Sequence, residues 1–157
     1  MKYKTKVYIF SVLFPLIVGG LSALCTSDNM KNLFNEIIKP PLSPPSWLFP
    51  VVWSVLFVLM GIGSARVYLS PASKNRTSAI RLYLINLFLN FFWSIIFFNF
   101  RAFLFAFIWL LALLLIIILM TARFYKAERI SGLLQIPYIL WVTFAGYLTF
   151  AIWFLNK

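Results

Sequence analysis

The sequence predicts an all-α integral membrane protein, a bundle of five transmembrane helices, and three observations carry that prediction. Hydrophobic residues make up 63% of the 157-residue chain and charged residues only 11%, whereas a soluble domain carries about 25% charged residues on its surface. The apolar residues gather into five runs, each near the roughly 20 residues that cross a bilayer core. Basic residues flank those runs rather than interrupt them. Runs of this kind are helical, because in lipid the backbone groups need partners within their own segment. The length suits a single domain, residues 1–157.

The first span, Val7 to Leu24, follows Lys2, Lys4 and Lys6 and imitates a signal peptide. It continues through Gly19, Gly20, Leu21 and Ala23 for about 18 residues, long enough to cross. Leu24, before Cys25, is too large for a lipoprotein-type cleavage site, so an uncleaved helix is expected. The connection that follows, residues 25–46, exceeds the roughly 2–8 residues usual between helices. Its centre, NMKNLFNEIIK, puts Leu33, Phe34, Ile37 and Ile38 on one face, as an amphipathic turn across the bundle mouth would. Pro40, Pro41, Pro44 and Pro45 then fix φ through PPLSPP. An ordered lid is expected there. The second span runs from Trp47 to Leu69, the third from Ile80 to Phe100 and the fourth from Phe103 to Phe124. Only Arg101 and Ala102 separate the last two, which requires a tight hairpin. The fifth span, Leu133 to Leu155, contains Pro137. That proline is expected to kink it, as a simple bend or so as to swing Tyr138 and Trp141 toward a cavity.

The net charge is +11, from fourteen Lys and Arg against Asp28, Glu36 and Glu128. Lys2, Lys4, Lys6, Arg66, Lys74, Arg76, Arg81, Arg123, Lys126 and Arg129 fall on one side. Lys31, Lys39, Arg101 and Lys157 fall on the other. The positive-inside rule then places the N-terminus inside and the C-terminus and lid outside, in what is expected to be a bacterial cell membrane. The flanking basic residues meet anionic lipid heads, so membrane lipids are the expected partners and nucleic acid is not.

Catalytic and metal chemistry has little to work with. There is one cysteine and no histidine, so no internal disulfide, no His/Cys metal cluster and no histidine-ligated haem can form. No metal and no resident cofactor are expected. The three acids lie in loops, which leaves no buried general acid or base. No span carries an ionisable residue near its centre, where coupled pumps have one. Aromatic and amide side chains remain. Trp53, Phe57 and Gly61 share a face of span two. Asn86, Asn90, Trp93 and Phe97 share one of span three, and Tyr138, Trp141, Ala145 and Leu148 one of span five. Each stripe reads equally as helix packing or as the wall of a site. Asn90, at mid-span, must face the bundle interior, as interhelical glue or as a ligand contact. Trp47 and Trp153 suit an interfacial belt, while Trp53, Trp93 and Trp141 lie deeper and need partners for their N–H groups. Gly19 with Ala23, and Gly61 with Ala65, permit close helix approach.

Taken together, KPPLSPPSWLFPVVWSVLFVLMGIGSA, LFLNFFWSIIFF and PYILWVTFAGYLTFAIWFLN resemble the TspO/MBR family over essentially the whole chain. This family comprises the tryptophan-rich sensory proteins and the translocator proteins, or peripheral benzodiazepine receptors. The resemblance implies five helices around a pocket covered by the first loop, with PPLSPP leading from the lid into span two. It implies that Trp53, Phe57, Asn90, Trp93, Trp141, Ala145 and Leu148 line the pocket and that Phe34 is the lid's aromatic. The implied ligands are protoporphyrin IX or another tetrapyrrole, as ligand or substrate, and drugs of the isoquinoline carboxamide and benzodiazepine types. Trp53 and Trp141 match positions implicated in light-dependent porphyrin breakdown. A homodimer through small residues of span three is a further implied partner, although this span offers only Ser94. Departures from the family pattern at Leu42, Asn86 and Thr149 bear on ligand specificity. The first basic residue after Tyr147 is Lys157, too distant for the cholesterol-recognition pattern. Three functions fit: a tetrapyrrole receptor or sensor, a passive transporter of lipophiles, and a scaffold with a lipid-filled pocket.

Overall fold

A computed structural model describes residues 2–157 as an all-α bundle. The elements are α1 (Lys2–Glu36), α2 (Leu48–Leu69), α3 (Lys74–Ser94), α4 (Phe103–Ala127), α5 (Arg129–Leu133) and α6 (Ile136–Leu155). Five helical stretches among the described residues are long and apolar enough to cross a membrane, that of α3 including a π-helical turn, Ile95–Asn99. The most extensive packing is of α3 on α4, α1 on α2 and α4 on α6, whereas the α2 and α6 backbones lie apart and meet through side chains. With no water to expel between helices in lipid, such pairs are held by van der Waals packing and interhelical hydrogen bonds.

Two expectations from the sequence need correction. The first helix does not end at Leu24. It runs on to Glu36, because Thr26, Ser27, Asp28 and Asn29 lower the hydropathy without breaking the helix. Thr26 Oγ1 donates back to the Ser22 carbonyl at 2.9 Å, as a polar residue inside a helix does. Thirty-five residues extend roughly 50 Å, so α1 overshoots a core of about 30 Å. The non-helical lid shrinks to residues 37–47. Leu33 lies fully buried with Ile96, Phe97, Ala106 and Ile152, with Ile37 packed against them, while Ile38 points outward.

Pro137 also differs. It sits in the first turn of α6, where the missing N–H removes no helical bond, so it starts the helix rather than kinking it. A turn at Leu134 and Gln135 separates α5 from α6, and Gln135 holds the N-cap position of α6 without a side-chain capping bond.

At the end carrying most of the basic residues the helices meet closely. A Cβ on Gly61 would stand 2.5 Å from the Val12 Cα and 2.6 Å from the Ser11 carbonyl oxygen, so α1 and α2 touch backbone to backbone. Phe124, Met60, Met120 and Val67 fill the space around them. Arg66 donates twice to Glu128, at 2.9 and 3.0 Å, and the same carboxylate caps α5 through the Ser131 N–H at 2.8 Å. The Arg66 guanidinium bonds hold the Glu128 carboxyl down at about 2. At the opposite end Arg101 adopts φ +50° in the tight hairpin expected between the third and fourth spans.

Candidate functional site

Beneath the lid, the helices that packed tightly at the basic end separate around a cavity of about 280 Å³. Trp53 and Phe57 of α2, Asn90 and Trp93 of α3, Trp141, Ala145 and Leu148 of α6, and Phe34 of α1 all line it. Of the four lid prolines, only Pro44 lines the wall. Pro40 is buried, while Pro41 and Pro45 face outward.

Asn86 and Tyr138 do not line the cavity. They form the layer beneath it. The Tyr138 hydroxyl, fully buried, donates to Asn86 Oδ1 at 2.6 Å and accepts from Asn90 Nδ2 at 2.9 Å. Asn86 Nδ2 points to the Met60 sulfur at 3.7 Å. A polar chain thus ties α3 to α6 across the bundle, and Asn90 acts both as interhelical glue and as part of the wall. The α6 stripe placed Tyr138 with the wall residues because helical periodicity gives the face of a residue but not its depth.

The rings form an open chain from Trp93 through Phe98, Phe34 and Phe49 to Trp141, with a separate Trp53–Phe57 stack. Trp53 stacks on Phe57 with centroids 5.6 Å apart, and Trp93 stacks on Phe97 at 5.3 Å. Phe34 stacks on Phe49 at 5.8 Å, Phe49 meets Trp141 edge-on at 5.8 Å, and Phe98 bridges Phe34 and Trp93. Sequence reasoning missed Phe49 and Phe98. Phe49 was accessible, since it precedes Trp53 by four residues on the same helical face. Phe98 was not. It reaches the wall through the π-helical turn, in which position i+5 rather than i+4 comes back into line.

The polar groups of the cavity are few and uneven. The Nε1 atoms of Trp93 and Trp141 are buried without a hydrogen-bond partner. Such a group in a low-dielectric interior is costly. Lys39 is the one charged residue in the wall among the described residues, with Nζ 5.8 Å from the centre of the Phe34 ring.

Three hydrogen bonds hold the lid, and an ion pair holds the end of α1 that leads into it. The Asn156 side chain accepts from the Ile38 N–H at 2.9 Å and donates to its carbonyl at 3.0 Å. Tyr147 donates to the Pro41 carbonyl at 2.9 Å, and Arg101 pairs with Glu36 at 2.6 Å. The Arg101 bond also draws the exposed Glu36 carboxyl below its ordinary range. Between these points the lid turns through Leu42 at φ +67°, a conformation that favours glycine.

Residues 11–154 match the model of the TspO/MBR family. The chain belongs to that family. It is 35% identical over 142 residues to the tryptophan-rich protein TspO of Chlorobaculum tepidum, with 90% of each chain covered. It is 36% identical over 125 residues to protein CrtK of Rhodobacter capsulatus, covering 78% of each. To the translocator protein of Bos taurus it is 29% identical over 143 residues, covering 90% of this chain and 85% of the relative. Membership of the TspO/MBR family accords with the five long helices and with aromatic clusters suited to a ligand pocket.

Proposed function

We propose that this protein is a membrane receptor for flat aromatic lipophiles bearing an acid group, with tetrapyrroles such as protoporphyrin IX as the leading class. The observation that carries the reading is the composition of the cavity wall. Trp53, Trp93 and Trp141 and the Phe rings between them offer faces for stacking, and burial of apolar surface adds about 25 cal/mol per Å². The unpartnered indole N–H groups of Trp93 and Trp141 seek acceptor atoms, and Lys39 at the mouth suits a carboxylate. A volume of about 280 Å³ lies at the lower edge of the roughly 300–1,000 Å³ of small-molecule sites, so a macrocycle enters only with the lid displaced. Isoquinoline carboxamide and benzodiazepine-type drugs are smaller aromatic lipophiles that would use the same stacking faces without an acid group for Lys39. The positive-inside rule orients the lid toward the outside of a bacterial membrane.

The same site supports light-dependent oxidative breakdown of a bound porphyrin. Dioxygen is the oxidant. The photoexcited ring takes an electron from the indole of Trp53 or Trp141 and passes it to dioxygen as superoxide. The indole radical cation recovers its electron from the ring, and superoxide adds to the porphyrin radical cation so formed. The net change is addition of dioxygen to the macrocycle. Titration of protoporphyrin IX into the protein, followed by tryptophan fluorescence, should give saturable quenching at one ligand per chain. The porphyrin dimethyl ester, which lacks free carboxylates, should bind more weakly to wild type and no more weakly to Lys39→Gln. Absence of saturation would refute the receptor. Photobleaching unchanged in Trp53→Phe with Trp141→Phe would refute the oxidative step alone. Porphyrin flux across proteoliposomes without stable binding would favour a passive carrier.

A further inference from the structure

A second concavity lies at the opposite end of the bundle from the lid. Phe10, Ser11 and Phe14 of α1, Ser64 and Tyr68 of α2, and Ile80, Tyr83 and Leu84 of α3 enclose a groove of about 310 Å³. We propose that this groove holds an acyl chain of one anionic phospholipid, with its phosphate at Arg76 and an ester carbonyl at the Tyr83 hydroxyl.

The apolar part of the site faces the bilayer. Phe10, Phe14 and Leu84 are 71%, 46% and 50% exposed, so the groove opens sideways, between helices, at the height of lipid tails. Its far wall is polar in one place. Tyr83 is 4% exposed, and its buried hydroxyl stands beside Ser64 without a well-formed hydrogen bond. Ser64 Oγ already donates to the Gly61 carbonyl at 3.0 Å. A phenol left so, next to hydrocarbon, is costly. An unbranched alkane cannot satisfy it, whereas the ester carbonyl of a glycerolipid can accept its proton.

Charge decides the headgroup. The Arg76 guanidinium lies 5.1 Å from the centre of the Tyr68 ring, which forms the rim of the groove. One of its nitrogens donates to the Ser70 carbonyl at 3.1 Å, and this fixes the fork in place with donors to spare. Arg76 and Tyr83 are seven residues apart on α3, a rise of roughly 10 Å. That separation suits the phosphate and ester levels of one lipid when the side chains reach toward each other. Lys2, Lys4, Lys6, Lys74 and Arg81 belong to the same end, where the one carboxylate among the described residues, Glu128, is engaged by Arg66. The surplus is cationic and favours an anionic headgroup over a zwitterionic one.

Native mass spectrometry of the full chain, delipidated and then titrated separately with phosphatidylglycerol and phosphatidylcholine of the same acyl chains, tests the assignment. A single phosphatidylglycerol should be retained about fivefold more tightly than phosphatidylcholine. Arg76→Gln should abolish that preference and Arg76→Lys should keep much of it. Tyr83→Phe, which removes only the hydroxyl, should weaken both lipids alike and leave protoporphyrin quenching unchanged. Equal retention of the two lipids, a preference that survives Arg76→Gln, or a cysteine at Phe14 that cross-links two chains across the groove would each overturn the proposal.

Discussion

At the basic end α1 and α2 meet backbone to backbone at Gly61, and Phe124, Met60 and Met120 fill the space between neighbours. At the lid end Gly20 of the same α1 has nothing within 4 Å of where a Cβ would sit, and it lines a cavity. The palette of residues is similar in both halves, but the arrangement differs. Small residues aimed at a neighbour draw helices together, whereas Trp53, Trp93 and Trp141, each set against neighbouring Phe or Tyr rings, hold them apart. The Asn86–Tyr138–Asn90 chain marks the boundary. At this layer α3 and the first turn of α6 are fastened to each other, and above it the helices leave room.

Single-atom changes on either side should break that contrast most visibly. Gly61→Ala forces a methyl group into the α1 backbone and should lower stability by about 1–3 kcal/mol. Gly20→Ala should be neutral or raise stability by up to about 1 kcal/mol through helix propensity. Thermal unfolding in detergent measures both, and equal losses would deny the difference in packing.

The boundary layer comes next. Tyr138→Phe removes the donor to Asn86 and the acceptor for Asn90, and should cost about 1–2 kcal/mol. Porphyrin affinity should fall with it, because Asn90 loses its anchor. Unchanged melting and affinity would show that the chain does not organise the cavity floor.

The Arg66–Glu128 pair fastens the filled half and should contribute about 1 kcal/mol. Since the Glu128 carboxyl titrates at about 2 instead of its ordinary 4.5, this contribution is complete above pH 4.5 and is lost as the pH falls from there through about 2. Melting curves of wild type and Glu128→Gln, separate at neutral pH, should converge across that window. Parallel curves down to pH 2 would place the stabilisation elsewhere.

Smallest in stability is the lid. Asn156→Leu removes both bonds to Ile38, which are exposed to solvent, and should change the melting point little. It should speed porphyrin association instead, which stopped-flow fluorescence would detect. An unchanged rate would mean that this link does not limit lid opening.

How far each half could be foreseen follows from the physics involved. The five spans were legible because a bilayer demands long apolar runs, and the tight hairpin followed from the two residues left between them. The extent of α1 was not, since hydropathy stops at Thr26 while helical hydrogen bonding does not. Pro137 read as a kink because its distance from the true helix start depends on the turn after α5, which hydropathy merges with α6. Most wall residues shared visible helical faces. Phe98 needed a π-helical turn that leaves no pattern in the sequence, and Asn86 and Tyr138 needed depth, which periodicity does not supply.

The most direct trial of the hollow as a binding site is to fill it. Ala145, on the cavity wall, replaced by Phe should abolish saturable quenching by protoporphyrin IX while the melting temperature stays close to that of wild type. Undiminished quenching by the filled variant would place the porphyrin elsewhere on the protein and contradict the account.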